Sequence, residues 1–97
     1  MKKVYIINGK NFSNMKEFYK EIQKNLTKDF KNFGNNLDAL DDVLYGGFGK
    51  FAFKEKIILI WDNFEKSEKE IDSKTLNKII RLIKEHKNIS LKTRRTE

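Results

Sequence analysis

The sequence predicts an α/β fold: one domain with a three-stranded parallel sheet and helices packed around it. Three observations carry that prediction. Ile57 to Trp61 (IILIW) is a continuously apolar run, the pattern of a strand buried on both faces of a sheet. Amphipathic stretches at helical spacing separate this run from strand-like segments near both ends of the chain. Each connection between strands therefore contains a helix, and right-handed crossovers then give a parallel sheet.

The first strand is Lys3 to Ile7 (KVYII), a β-branched run closed by the turn-forming pair Asn8-Gly9. Ser13 or Asn14 can cap the helix that follows, in which Met15, Phe18, Tyr19, Ile22 and Leu26 share one face. Gly34 breaks the chain, and Asn35 or Asn36 can cap a second helix running to about Tyr45. Leu37, Leu40 and Leu44 lie on one side of it, and Asp38, Asp41, Asp42 and Tyr45 on another. Gly46, Gly47 and Gly49 end that helix and begin a flexible loop leading to the apolar strand, at whose end Trp61 belongs to the core. Asp62 to Lys74 mixes acids and bases and reads as a solvated connection with room for a helical turn. From Ser73 or Thr75 a third clear helix buries Leu76, Ile79, Ile80, Leu82 and Ile83, and a last strand, NISLKT, precedes a ragged basic tail, RRTE.

Composition narrows the function. Residues 1–97 make one domain, because 38% hydrophobic content fills a single modest core and leaves no room for a second. Without cysteine and with one histidine, the chain builds neither a disulfide framework nor a thiolate or imidazole metal centre, so no cofactor or metal is expected. The apolar run near the N-terminus is too short for a signal segment or a membrane span, so the expectation is a cytoplasmic protein with no membrane partner.

The charge is unevenly spread. Phe33 to Gly49 (FGNNLDALDDVLYGGFG) has no lysine or arginine, although those residues supply 21 of the 97 positions; setting aside the window's three aspartates raises the net charge from +7 to +10 on the rest. Three aspartates on a helix lack the convergent histidine, second carboxylate cluster or basic group that acid–base or metal chemistry requires, so an enzyme is not expected. Asp38 and Asp42 alone would hold a divalent ion only weakly. The bland alternative is a solvated helix face with its acids toward the helix N-terminus. The GGFG segment follows a helix and precedes a strand, the reverse of the order that aims N–H groups at phosphate. His86 is expected on the surface at a helix C-terminus. Nucleic acid is the partner that bulk charge suggests, but the lysines are spread over every helix and the aromatics fall mostly on apolar faces or in the Gly-rich loop, so direct nucleic-acid binding is not expected.

FGNNLDALDDVLYGGFG resembles the barstar family of intracellular ribonuclease inhibitors, whose signature runs Tyr/Phe-Gly-x-Asn-Leu-Asp-Ala-Leu-x-Asp and opens the second helix. The likeness extends from the strand ending at Asn8-Gly9 to the last strand. It implies a three-stranded parallel sheet with helices around it, and a ribonuclease as partner. By position, Asp38 and Asp42 match the two signature aspartates, Gly46 a loop glycine near the contact, and Glu85 an acidic residue of the last helix. The family carries a tryptophan where this chain has Asp41, an aromatic residue where it has Asn32, and a shorter segment between second helix and second strand. The expected partner-binding face is Asn32, Asn36, Asp38, Asp41, Asp42, Tyr45, Gly46 and Glu85, of which the resemblance carries over Asp38, Asp42, Gly46 and Glu85. A carboxylate held on a rigid helix can imitate phosphate before the Arg, Lys and His donors of a ribonuclease site. The expectation is an antitoxin or immunity protein, monomeric when free and 1:1 in its complex. The alternatives are a barstar-like module for another basic protein and a non-specific nucleic-acid binder.

Overall fold

The computed structural model describes residues 2–28, 34–48 and 50–95. Strand β1 (Lys3–Asn8) leads through a 3-10 turn (Gly9–Asn11) to α1 (Met15–Leu26); α2 (Leu37–Tyr45) precedes β2 (Ile57–Asp62), and α3 (Phe64–Glu70) and α4 (Ser73–Glu85) precede β3 (Ile89–Thr93). The strands form one parallel sheet in the order β1-β2-β3.

This order determines where the helices go. Right-handed crossovers that step twice in the same direction along a sheet place both sets of helices on the same face. Burial follows that rule: Tyr5, Leu59 and Leu91 are in register, as are Ile7, Trp61 and Thr93, and the core draws on this side of the sheet. On the other side Val4 and Ile6 are exposed and Ile58 and Ile60 half-buried. The expectation that IILIW is buried on both faces is thus corrected to an alternation of buried and half-buried residues. The run is apolar throughout because the open face of the central strand is still shielded by its neighbours.

Local chemistry sets the helix starts. Asn14, rather than Ser13, caps α1 by accepting a bond from Glu17 N (2.9 Å), and the Glu17 carboxylate returns to Ser13 N (2.8 Å), satisfying two donors reciprocally. Phe18, Tyr19, Ile22 and Leu26 are buried beneath it. Glu21 is buried too, and its carboxylate accepts from Asn8 N (2.8 Å) and Asn11 Nδ2 (3.1 Å), tying α1 to the end of β1. Gly9 permits the same junction, since a Cβ there would lie 2.5 Å from Asn63 O. Asp72 caps α4 through Thr75 N (3.3 Å), so that helix begins at Ser73; Leu76, Ile79 and Ile83 are buried, whereas Ile80 and Leu82 are only half-buried.

Two segments are more ordered than their composition suggests. The supposed solvated connection contains α3, fixed by the core: Phe64 is buried edge-on to Trp61 (centroids 5.1 Å apart), and buried Ser67 accepts a bond from Trp61 Nε1 at 3.0 Å. Seven residues with one apolar anchor show no readable period, so tertiary contact decides the helix. The basic tail is tied back as well. Arg94 grips Asp62 with two bonds (2.7 and 2.8 Å) and donates its backbone N–H to Trp61 O (2.9 Å), while Arg95 pairs with Glu68 at 2.8 Å.

Candidate functional site

The acidic window folds as α2 and the loop after it. Asn36 is the N-cap, its side chain accepting from Ala39 N at 2.8 Å. Leu40, Val43 and Leu44 are buried and Leu37 half-buried, so the apolar face is wider than the leucine stripe alone. Asp38 and Asp42, one turn apart, are exposed, and Tyr45 is 41% exposed at the helix end.

Asp41 does not join that outward pair. It turns toward α4, where His86 Nε2 lies 2.6 Å from Asp41 Oδ1. Only 4% of the His86 side chain is exposed, which corrects the expectation of a surface histidine. Tyr45 closes its other side, edge-on with centroids 4.4 Å apart. His86 is also the C-cap of α4: its N–H reaches Ile83 O (3.1 Å) and its carbonyl accepts from Ile89 N (3.0 Å). One side chain therefore joins α2, α4 and the start of β3. Two residues 45 positions apart in sequence carry no local pattern, so only folding brings them together.

Gly46 is buried with φ +95°, and a Cβ there would lie 2.3 Å from Ala52 O. It serves the close return of the loop, which is tied down rather than free: Gly47 N bonds Phe51 O (2.8 Å), Lys54 N bonds Tyr45 O (2.6 Å), and Phe51 is buried. Ala52 N bonds Glu55 Oε1 (2.8 Å); this bond, followed by the ammonium of Lys3, holds the Glu55 carboxyl below its ordinary value. The tied-down loop holds Phe53 beside α2, stacked on Tyr45 at 6.1 Å and 64% exposed. Sequence reading did not single out Phe53, although its place after three glycines, off any apolar face, was the available signal.

Glu85, the last residue of α4, is exposed. With Asp38 and Asp41 it lines a shallow groove of about 200 Å³ between α2 and α4, and Lys78 and Arg81 line the same groove. The fold thus brings Asp38, Asp41 and Glu85 to one groove, keeps Asp42 and Tyr45 on the neighbouring surface and commits Asn36 to a cap. Asn32 lies outside the described residues. Among the described residues no group of three or more His, Cys, Asp or Glu side chains could hold a metal ion, and no helix is long and apolar enough to cross a membrane.

Fold and site together define a small α/β protein that presents exposed carboxylates from a capped, well-anchored helix. The chain belongs to the barstar family: the family pattern described as Barstar (barnase inhibitor) matches residues 2–95. None of the curated proteins matches it.

Proposed function

We propose that this protein inhibits a ribonuclease, with Asp38 and Asp42 of α2 occupying the phosphate-binding part of the enzyme's active site and Tyr45 and Glu85 at the border of the contact. The observation that carries the reading is the exposure of Asp38 and Asp42 one turn apart on a helix whose cap and inner face are satisfied within the protein, in a chain of the barnase-inhibitor family. Carboxylates held this way meet guanidinium, ammonium and imidazolium donors without further ordering, and charge-assisted bonds of that kind are short and strong. The inhibitor is an antitoxin or immunity protein, cytoplasmic, without catalytic chemistry of its own, and it binds its enzyme 1:1.

The test measures hydrolysis of a fluorogenic RNA by barnase and by a panel of other small microbial ribonucleases, with the parent protein and with Asp42→Ala. Charge pairs at such interfaces, those of barnase and barstar among them, cost roughly 2–5 kcal/mol when one side is truncated. The expected result is stoichiometric inhibition of at least one enzyme, with affinity reduced by more than about thirtyfold in the variant, the lower end of that range. Asp42→Ala binding as tightly as the parent would reduce the acidic window to a solvated helix face.

A further inference from the structure

Along the sequence the lysines look evenly scattered, but folding gathers three of them. Lys54 and Lys56, from the loop before β2, and Lys87, from the turn after α4, line one groove of about 380 Å³, a volume within the range of small-ligand clefts (~300–1,000 Å³). Asn88 and the buried His86 contribute to its lining, and Tyr45 and Glu85 complete it. All three lysines are exposed, and none has a carboxylate partner among the described residues. The carboxylate lying between two of them in sequence, Glu55, is taken by Lys3 (3.4 Å) and by Ala52 N, so it does not neutralise Lys54 or Lys56. Glu85 is the one acidic side chain in the lining, which leaves the groove cationic.

Aromatic surface adjoins these charges. Phe53 is the most exposed large apolar side chain among the described residues, and its ring stacks on Tyr45 with the planes 29° apart. The Lys54 ammonium lies 5.3 Å from the Phe53 centroid, so cation and ring face are presented together. The backbone fixes this arrangement: Lys54 adopts φ +58°, and its N–H bonds Tyr45 O. Ammonium groups lining one groove beside exposed aromatic rings are the two components with which proteins hold single-stranded nucleic acid, the cations following phosphates and the rings stacking bases. A duplex offers no free base face to these rings.

We propose that this groove binds single-stranded nucleic acid, with bases on Phe53 and Tyr45 and phosphates on Lys54, Lys56 and Lys87. The groove adjoins the proposed ribonuclease contact, sharing Tyr45 and Glu85 with its border, and differs from the acidic face of α2 in the sign of its charge.

Fluorescence anisotropy of labelled U12 and dT12 oligonucleotides with the intact protein tests this across a salt series. Three phosphate contacts on a single strand predict a log–log slope of affinity against salt of about −2. Phe53→Ala is expected to weaken binding roughly tenfold, the loss of one stacked base. Lys87→Glu should weaken it by at least as much, whereas Lys20→Glu, an equal charge change on α1 outside the groove, should have a several-fold smaller effect. Preference for U12 over dT12 would identify RNA as the ligand, and equal binding would identify single strands of either sugar. Three results would each overturn the proposal: no binding at low salt, equal losses in Lys20→Glu and Lys87→Glu with none in Phe53→Ala, or equally tight binding of a duplex or of poly-glutamate. The last would mark the groove as a dock for acidic protein instead.

Discussion

His86 Nε2 donates a hydrogen bond to Asp41 Oδ1 across 2.6 Å, and this bond ties the C-cap of α4 to the middle of α2. Because the imidazole is nearly fully buried, it has few other partners to turn to. Asp41 therefore holds α2 in place, while Asp38 and Asp42 remain free to meet a partner.

Asp41→Ala is accordingly expected to destabilise the fold by about 1–3 kcal/mol, the cost of leaving a buried donor unsatisfied. Asp42→Ala removes an exposed carboxylate and should stay within about 0.5 kcal/mol. Urea unfolding of both variants makes the comparison. Equal midpoints would mean that the bond contributes nothing to the anchoring of α2.

Gly46 and Gly47 provide a second contrast. Both have positive φ (+95° and +92°), so a side chain at either is strained by roughly 1–2 kcal/mol. At Gly47 nothing lies within 4 Å of the added carbon, whereas at Gly46 it would meet Ala52 O at 2.3 Å. Gly46→Ala must also displace the backbone of the loop, and it should cost clearly more than Gly47→Ala in the same unfolding assay. If the two losses match, the close approach of the loop to α2 is not what requires glycine at position 46.

The acid limb of stability has an identifiable contributor. The paired bonds from Arg94, followed by its charge, hold the Asp62 carboxyl below its ordinary value. A carboxyl depressed in the folded state stabilises the fold fully above its unfolded value, about 4, and that contribution fades as pH falls through the lower folded value. Asp62→Asn should therefore lower the urea midpoint at pH 7 while the gap to the parent narrows below about pH 4. A gap of constant size down to pH 2 would count against the pair.

The elements that sequence made legible are those with a repeating signal. The faces of α1 and α4, the β-branched run of β1 and the Asn-Gly stop after it could all be read from spacing. The signature window located α2, and Asp38 and Asp42 do stand outward there. What spacing cannot convey is contact between distant residues. Trp61 with Ser67 inside α3, Arg94 with Asp62 in the tail, and Asp41 with His86 each pair a side chain with a group from another element. Reading Asp41 by helical angle alone placed it with Asp38 and Asp42, because the angle between two residues on a helix says nothing of which neighbouring helix packs beside them.

The groove between α2 and α4 leads to a kinetic prediction under the proposed function. Lys78 and Arg81 line it opposite Asp38 and Asp41, and neither has a carboxylate partner among the described residues. A ribonuclease site rich in arginine, lysine and histidine is attracted by the aspartates of α2 and repelled by these two cations, with a net charge of +7 adding to the repulsion at long range. Added salt screens both effects, so the association rate of the parent should change only weakly with ionic strength. Replacing both cations in Lys78→Glu/Arg81→Glu leaves only acids among the charged side chains of this groove and lowers the net charge by four, from +7 to +3. At low salt the association rate with the inhibited ribonuclease, followed by stopped-flow fluorescence, should rise roughly tenfold and then fall steeply as salt is added. An unchanged rate in the double variant would mean that α4 lies outside the path by which the enzyme approaches, and would confine the contact to α2 and the loop that follows it.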